Sequence, residues 1–287
     1  KDCFELIHLA FEIAIRGSTF SGSQVKNHIF YHIHNPNPYE HAHFLKHYPD
    51  ARVLHILRNP VQSMESWMIP SSSLDETECF NDIGDRHIIS NFLIGRWMRI
   101  FYKVKTIFNQ IESPFNNRAH TRGIRLEDVK RKAVEIMPQI ADWMGISDHP
   151  ALYESSFCGL QYWGPASKST GKITGFSTKA IDQPVGRFLG SRDVIIFETL
   201  LWPFSRLYNY TELDHAGFRQ QLTQIRPWLD EPLEFERRLY EELHDQTYAL
   251  KDLAPYISLH QLLLRVWTLL DSNHSYKNMI APLEVDL

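Results

Sequence analysis

Residues 49–67 read Pro-Asp-Ala-Arg-Val-Leu-His-Ile-Leu-Arg-Asn-Pro-Val-Gln-Ser-Met-Glu-Ser-Trp, and this stretch decides the fold. The run from Arg52 to Leu57 is short and apolar, with Pro49-Asp50 before it and Asn59-Pro60 after it. That length suits a buried parallel strand better than a helix. Arg58 then falls at the strand's carboxyl end, the edge at which α/β sheets place ligands. Asn59 is a favoured N-cap and Pro60 a favoured first helical residue, so 60–67 is expected to be helical. The amides and dipole of a helix start attract anions, and Arg58 adds a permanent charge with a planar fork of donors. Ser63 and Ser66 are three apart, so both hydroxyls can face one side of that helix. Arg58 and Ser66 thus form a plausible phosphate clamp, although Arg-Asn-Pro alone also fits a surface arginine before a proline-started helix.

Working outward, Leu6, Leu9, Ala10, Ile13 and Ala14 have helical spacing over 4–15, and Arg16 to Ser23 reads as a loop. Asn27 to His34 reads as a short strand stopped by Asn35-Pro36-Asn37-Pro38, and a helix is expected over 39–47. A long helix over 88–112 carries Phe92, Leu93, Trp97, Ile100, Phe101 and Val104 on one side. A brief strand at 123–126 precedes a helix over 129–144 that ends at Gly145. A Ser/Thr/Gly/Lys-rich loop spans 165–179, and Ser191 is expected to cap a helix with Asp193 in its first turn. Beyond Asp214 three helical segments follow, near 215–228, 231–250 and 256–272.

Strands separated by helices imply an α/β fold over 1–211, a parallel sheet flanked by helices, with a helical C-terminal extension over 212–287. The extension's apolar positions, Trp228, Leu229, Leu233, Phe235, Leu239, Leu243, Leu259, Leu262, Leu263 and Trp267, suit an intramolecular core, a homodimer contact or a lid.

Composition narrows the function. The 287 residues carry a formal net charge of -4, which argues against a nucleic-acid partner. Cys3, Cys79 and Cys158 lie far apart, which excludes a disulfide framework and suits a reducing, cytoplasmic setting. No apolar run approaches the roughly 20 residues that span a bilayer.

The stretch 48–67 resembles the sulfotransferase family, in which a strand leads into Arg-Asp/Asn-Pro and a serine follows eight residues after the arginine. Arg58, Asn59, Pro60, Ser66 and Trp67 occupy those places, and Tyr48-Pro49-Asp50-Ala51 resembles the lead-in. Arg125-Leu126-Glu127-Asp128-Val129 is similar to the family's Arg-Tyr-Glu-Asp-Leu, with Leu126 replacing a tyrosine near the adenine. Gly171 to Lys179, Val185-Gly186-Arg187-Phe188 and Leu207-Tyr208-Asn209-Tyr210 resemble the closing loop and last helix. The resemblance covers about 25–210. It implies a P-loop-like core and 3′-phosphoadenosine-5′-phosphosulfate as sulfuryl donor. Arg58 and Ser66 would then hold its 3′-phosphate, with Lys172 from the closing loop as a further contact. It also implies a hydroxyl or amine acceptor, small-molecule or carbohydrate.

Sulfuryl transfer needs a base, and histidine is well matched to that task. His32-Ile33-His34-Asn35-Pro36 resembles the Lys-Thr-His-Leu-Pro segment of the cytosolic branch, which puts His34 on the catalytic histidine. A metal is the rival use of these histidines: His32 and His34 share a strand face, and His43 and His47 a helix face. No HExxH pattern or carboxylate completes such a site, so no metal is expected.

The family's phosphosulfate-binding loop is not recognisable here. Arg16-Gly17-Ser18-Thr19-Phe20 has similar letters in another order, after a helical pattern. The reading is therefore a fragment lacking its first strand and loop, or a catalytically degenerate relative that binds without transferring. A P-loop kinase ranks below both, for lack of a Walker segment.

Overall fold

The computed structural model describes residues 10, 13, 30, 38–72, 101, 104–116, 118–154, 156–157, 160–161, 176–179, 181–241 and 254–286. The expected helix over 4–15 and strand over 27–34 lie outside them, apart from Ala10, Ile13 and Phe30. Helix α1 (Pro38–His47) precedes strand β1 (Val53–Leu57), and α2 (Pro60–Ser72) follows after two residues. A helical run, α3 (104–111), comes before β2 (Thr121–Arg125). Next come α4 (Leu126–Arg131), α5 (Ala133–Met144) and a 3-10 turn at Pro150–Tyr153. A short antiparallel pair follows, β3 (Ser156–Phe157) and β4 (Leu160–Gln161). Further along come α6 (Ser191–Leu200), α7 (Trp202–Leu207), α8 (His215–Ile225), α9 (Glu234–Glu241) and α10 (Ala254–Asp271).

The fold is mixed α/β around a small parallel sheet. β1 and β2 pair in parallel, with Val53 opposite Thr121 and Leu57 opposite Arg125. Parallel neighbours need a crossover, here supplied by a stretch that includes α2 and α3. The chain's last segment joins β2 as well: the Gly123 amide donates to the Ala281 carbonyl at 2.9 Å, and the Leu283 amide to the Gly123 carbonyl at 2.7 Å. Glycine at 123 permits this close packing, because a Cβ there would lie 2.2 Å from the Tyr208 hydroxyl and 2.5 Å from Leu57 Cδ1 and one or both would have to shift. The same hydroxyl donates to the Ile280 carbonyl at 2.9 Å, which pins the final segment in place.

The chain divides into two compact units, Asn37–Glu127 with Lys179–Glu284, and Lys1–Pro36 with Asp128–Thr178 and Val285–Leu287. In the larger unit α6 is central and packs against α2, α8, α9 and α10. Its Ile196, Phe197 and Leu200 are buried with Val61, Met64 and Met68 of α2 and Leu222 and Ile225 of α8. Leu229, Leu233, Phe235, Leu259 and Leu263 of the C-terminal stripe lie in that same core, with Trp228, Leu262 and Trp267 partly buried against it. Each such aliphatic or aromatic burial is worth about 1.5–3 kcal/mol, so this shared core is the main source of the unit's stability.

In the smaller unit α5 buries Ile136, Ile140 and Ala141 and ends at Gly145, whose φ of 72° makes a left-handed cap. The Gln139 side chain brackets Asp286, donating to its carbonyl at 3.0 Å and accepting from its amide at 2.9 Å.

Three sequence expectations shift. The second strand starts two residues early, at Thr121, where it meets Val53. The helix expected over 129–144 is two helices, because Lys132 leaves helical geometry (φ -126°, ψ 39°). Gly190 rather than Ser191 is the N-cap of α6, since the Glu234 carboxylate from α9 accepts the Arg192 amide at 3.1 Å and supplies the cap from outside. Among the described residues no helix is long and apolar enough to cross a membrane.

Candidate functional site

The turn from β1 to α2 forms as its residues require. Asn59 Oδ1 accepts the Gln62 amide at 3.0 Å, and the Asn59 carbonyl accepts the Ser63 amide at 2.8 Å. This is a side-chain N-cap with proline at the first helical position. The amide of Asn59 itself donates to Glu127 Oε1 at 3.0 Å. Two amides of the turn therefore serve the fold, and side chains carry most of what the site can offer an anion.

Arg58 stands half-buried at the carboxyl end of β1, its Nε donating to Gln62 Oε1 at 2.7 Å. Burial lowers its pKa, nearby Glu127 opposes that shift, and Arg187 lowers it further. A guanidinium so placed remains charged, which gives the strand end a fixed cation. Ser66, also half-buried, donates its hydroxyl hydrogen to the Ser63 carbonyl at 2.7 Å, a back-bond that orients Oγ along the helix. Glu127 joins this turn to Tyr210: its Oε2 accepts from the Tyr210 hydroxyl at 2.8 Å. Arg125 lies over the Tyr210 ring, 4.8 Å from its centroid. Arg58, Arg125 and Arg187 are thus grouped with Glu127 and Tyr210 at this end of the strand.

The segment 181–189 is fastened to α2 by two side chains. Gln62 Nε2 donates to the carbonyls of Ile181, at 3.0 Å, and Gln183. Glu65, wholly buried, accepts the amides of Gly186, Phe188 and Leu189, each at 2.9 Å. Arg187 projects from this segment, exposed, with Nε on the Pro184 carbonyl at 3.1 Å.

Of the residues singled out in the sequence, the structure brings Arg58 and Ser66 onto one strand–turn–helix unit. His34 and Lys172 lie outside the described residues, as does His32. Gln62, Glu65 and Tyr210 were missed as site residues, and Arg187 was noted only as part of a loop. One clue to Glu65 was available: with Val61, Met64 and Met68 it falls on a single helical face, so a carboxyl sits within an apolar stripe.

Four described histidines, on α1 and β1, make ring contacts. His43 and His47 place their rings 5.0 Å apart on α1, yet no group of three or more metal-ligating side chains occurs among the described residues. His41 meets His55 and Phe115 edge-on, each at 5.9 Å. Burial, with His41 adding to it, pushes the His55 pKa down to about 4, so this ring is neutral.

A second concentration of buried charge lies where α6 meets α9. Asp193, fully buried, accepts the amides of Glu234 at 2.7 Å and Phe235 at 2.9 Å, while Glu234 returns a carboxylate to the amide of Arg192. Glu236 accepts the Leu233 amide at 2.7 Å, and burial pushes its pKa up to about 8. Each helix start is capped by an acid from the other, so this junction is satisfied internally.

No protein-family model matches this chain, and no curated protein or solved structure matches it significantly.

Proposed function

We propose that this chain is a sulfotransferase with a P-loop-like core, binding 3′-phosphoadenosine-5′-phosphosulfate through Arg58 and Ser66. One observation carries the reading: a half-buried arginine at the carboxyl end of a parallel strand, directly before a side-chain-capped helix start. Glu127 already balances part of the Arg58 charge, and Arg187 adds a further cation that a phosphate could join to Arg58. Ser66 Oγ keeps its acceptor lone pairs and can redirect its proton to such a ligand. The donor, when bound, supplies an activated sulfuryl group. His34 would accept the acceptor's proton as its oxygen or nitrogen attacks sulfur, and the bridging phosphate oxygen departs with the electrons of the broken S–O bond. Lys172 would add to the 3′-phosphate contacts. The acceptor is a hydroxyl or amine on a small molecule or carbohydrate.

A second reading is a binding protein on the same fold, favoured by the order of Arg16-Gly17-Ser18-Thr19-Phe20, which does not reproduce the family's phosphosulfate loop. One experiment separates them. The full chain is incubated with donor and a panel of phenols, amines and sugars, and release of adenosine-3′,5′-bisphosphate is followed for wild type and His34→Ala. Turnover lost in the variant supports the enzyme. Binding without turnover supports the second reading, and neither binding nor turnover overturns both.

A further inference from the structure

We infer that Gln62 and Glu65 are positioning residues that latch the segment 181–189 onto α2 and so hold Arg187 toward the same anion as Arg58. This rests on the anion-site reading above. Gln62 is shared by both sides of the latch. Its Oε1 accepts from Arg58 Nε at 2.7 Å, and its Nε2 donates to the Ile181 carbonyl at 3.0 Å and to the Gln183 carbonyl. If the segment undocks, Gln62 loses the partners that fix its rotamer, and Arg58 loses the acceptor that fixes its own.

Glu65 supplies the second hold. A carboxyl group buried in an apolar face is costly unless hydrogen-bonded, and three converging amides meet that need. Oε2 takes the amide of Gly186, while Oε1 takes those of Phe188 and Leu189. Gly186 at φ +89° gives the segment the left-handed bend that brings these amides around, and a Cβ there would meet nothing within 4 Å. Arg187 sits inside this clasp, between Gly186 and Phe188. With the latch closed, Arg187 lies between two residues whose amides Glu65 holds, and an anion bound by both arginines would favour that closed arrangement. By linkage, the anion must tighten the latch as much as the latch tightens the anion.

The test is titration of the full chain with adenosine-3′,5′-bisphosphate for wild type, Arg58→Ala, Glu65→Gln, Arg187→Ala and the Glu65→Gln/Arg187→Ala double variant. Glutamine at 65 has one acceptor oxygen and sets an amino group against an amide that needs an acceptor. Glu65→Gln and Arg187→Ala should each weaken binding about tenfold, and the double variant by less than the product of the two losses, since Glu65 acts in large part through Arg187. Wild-type affinity in Glu65→Gln, or losses that multiply in the double variant, would overturn the latch. Undiminished binding by Arg58→Ala would instead overturn the anion site itself. Should Glu65→Gln not fold, Gly186→Ala perturbs the latch from its exposed side and should show the same non-additivity with Arg187→Ala. Multiplying losses there would overturn the proposal equally.

Discussion

Two parts of the larger unit use the same device to opposite ends. At the α6–α9 junction and at the α2–loop clasp, a buried acid gathers backbone amides from a distant segment: Asp193 takes two, and Glu65 takes three. Around Asp193 the acids prevail, with Glu231, Glu234 and Glu236 beside Arg192 and Arg237. Each is directed at a helix start or an arginine of the protein itself. Near Glu65 stand Arg58 and Arg187, and Arg187 is exposed. Capping by buried acids is therefore a way of closing the fold. The arginines beside one of the two clasps are what the proposed anion site draws on.

This contrast can be broken by experiment. Asp193→Asn leaves a single acceptor for two buried amides and should destabilise the protein by about 3 kcal/mol, measured by urea unfolding. It should leave the affinity for adenosine-3′,5′-bisphosphate unchanged. A matched loss of affinity would erase the distinction between the two regions. Gly123→Ala forces a methyl group against the Tyr208 hydroxyl and Leu57 beneath the arginine side, and about 2 kcal/mol should be lost through overpacking.

The acid-rich junction should also show itself in pH dependence. The folded pKa of Glu236 is raised to about 8 by burial, with Asp193 raising it further and the Leu233 amide and Arg192 opposing, against an ordinary value of 4.5. Asp193 is shifted upward too, chiefly by burial. A raised acid contributes stability that is complete below its unfolded pKa and lost as pH climbs through its folded pKa. Unfolding free energy should thus fall between about pH 4.5 and pH 8, with a slope no steeper than ~1.4 kcal/mol per pH unit for this one group. Glu236→Gln should flatten that slope, and an unchanged slope would show that the junction does not titrate. The smallest effect belongs to the arginine side, where Asn59→Ala removes one cap and should cost about 1 kcal/mol in the same unfolding measurement.

What could be read in the sequence was local. The strand over 53–57, the cap at Asn59 and the helix start at Pro60 are dictated by neighbours in the chain, and the structure has them there. The helix end at Gly145 was legible for the same reason, and the helix expected near 256–272 is found at Ala254–Asp271. The clasp was not, because Gln62 and Glu65 meet partners 119 to 124 residues away. Sequence patterning shows that Glu65 faces the core, but not which amides await it there. Likewise Asp193 reads as a first-turn acid for its own helix, whereas its oxygens cap α9. Local rules placed the element correctly and the partner wrongly, and the cap of α6 moved to Gly190 as a consequence.

The central claim is that Arg58 anchors an anion site at the end of β1, and calorimetric titration of the full-length protein with adenosine-3′,5′-bisphosphate tests it most directly. The account predicts micromolar binding that Arg58→Ala weakens at least a hundredfold, with the fold intact by circular dichroism. Binding equal in the two proteins, or none by folded wild type, would contradict it.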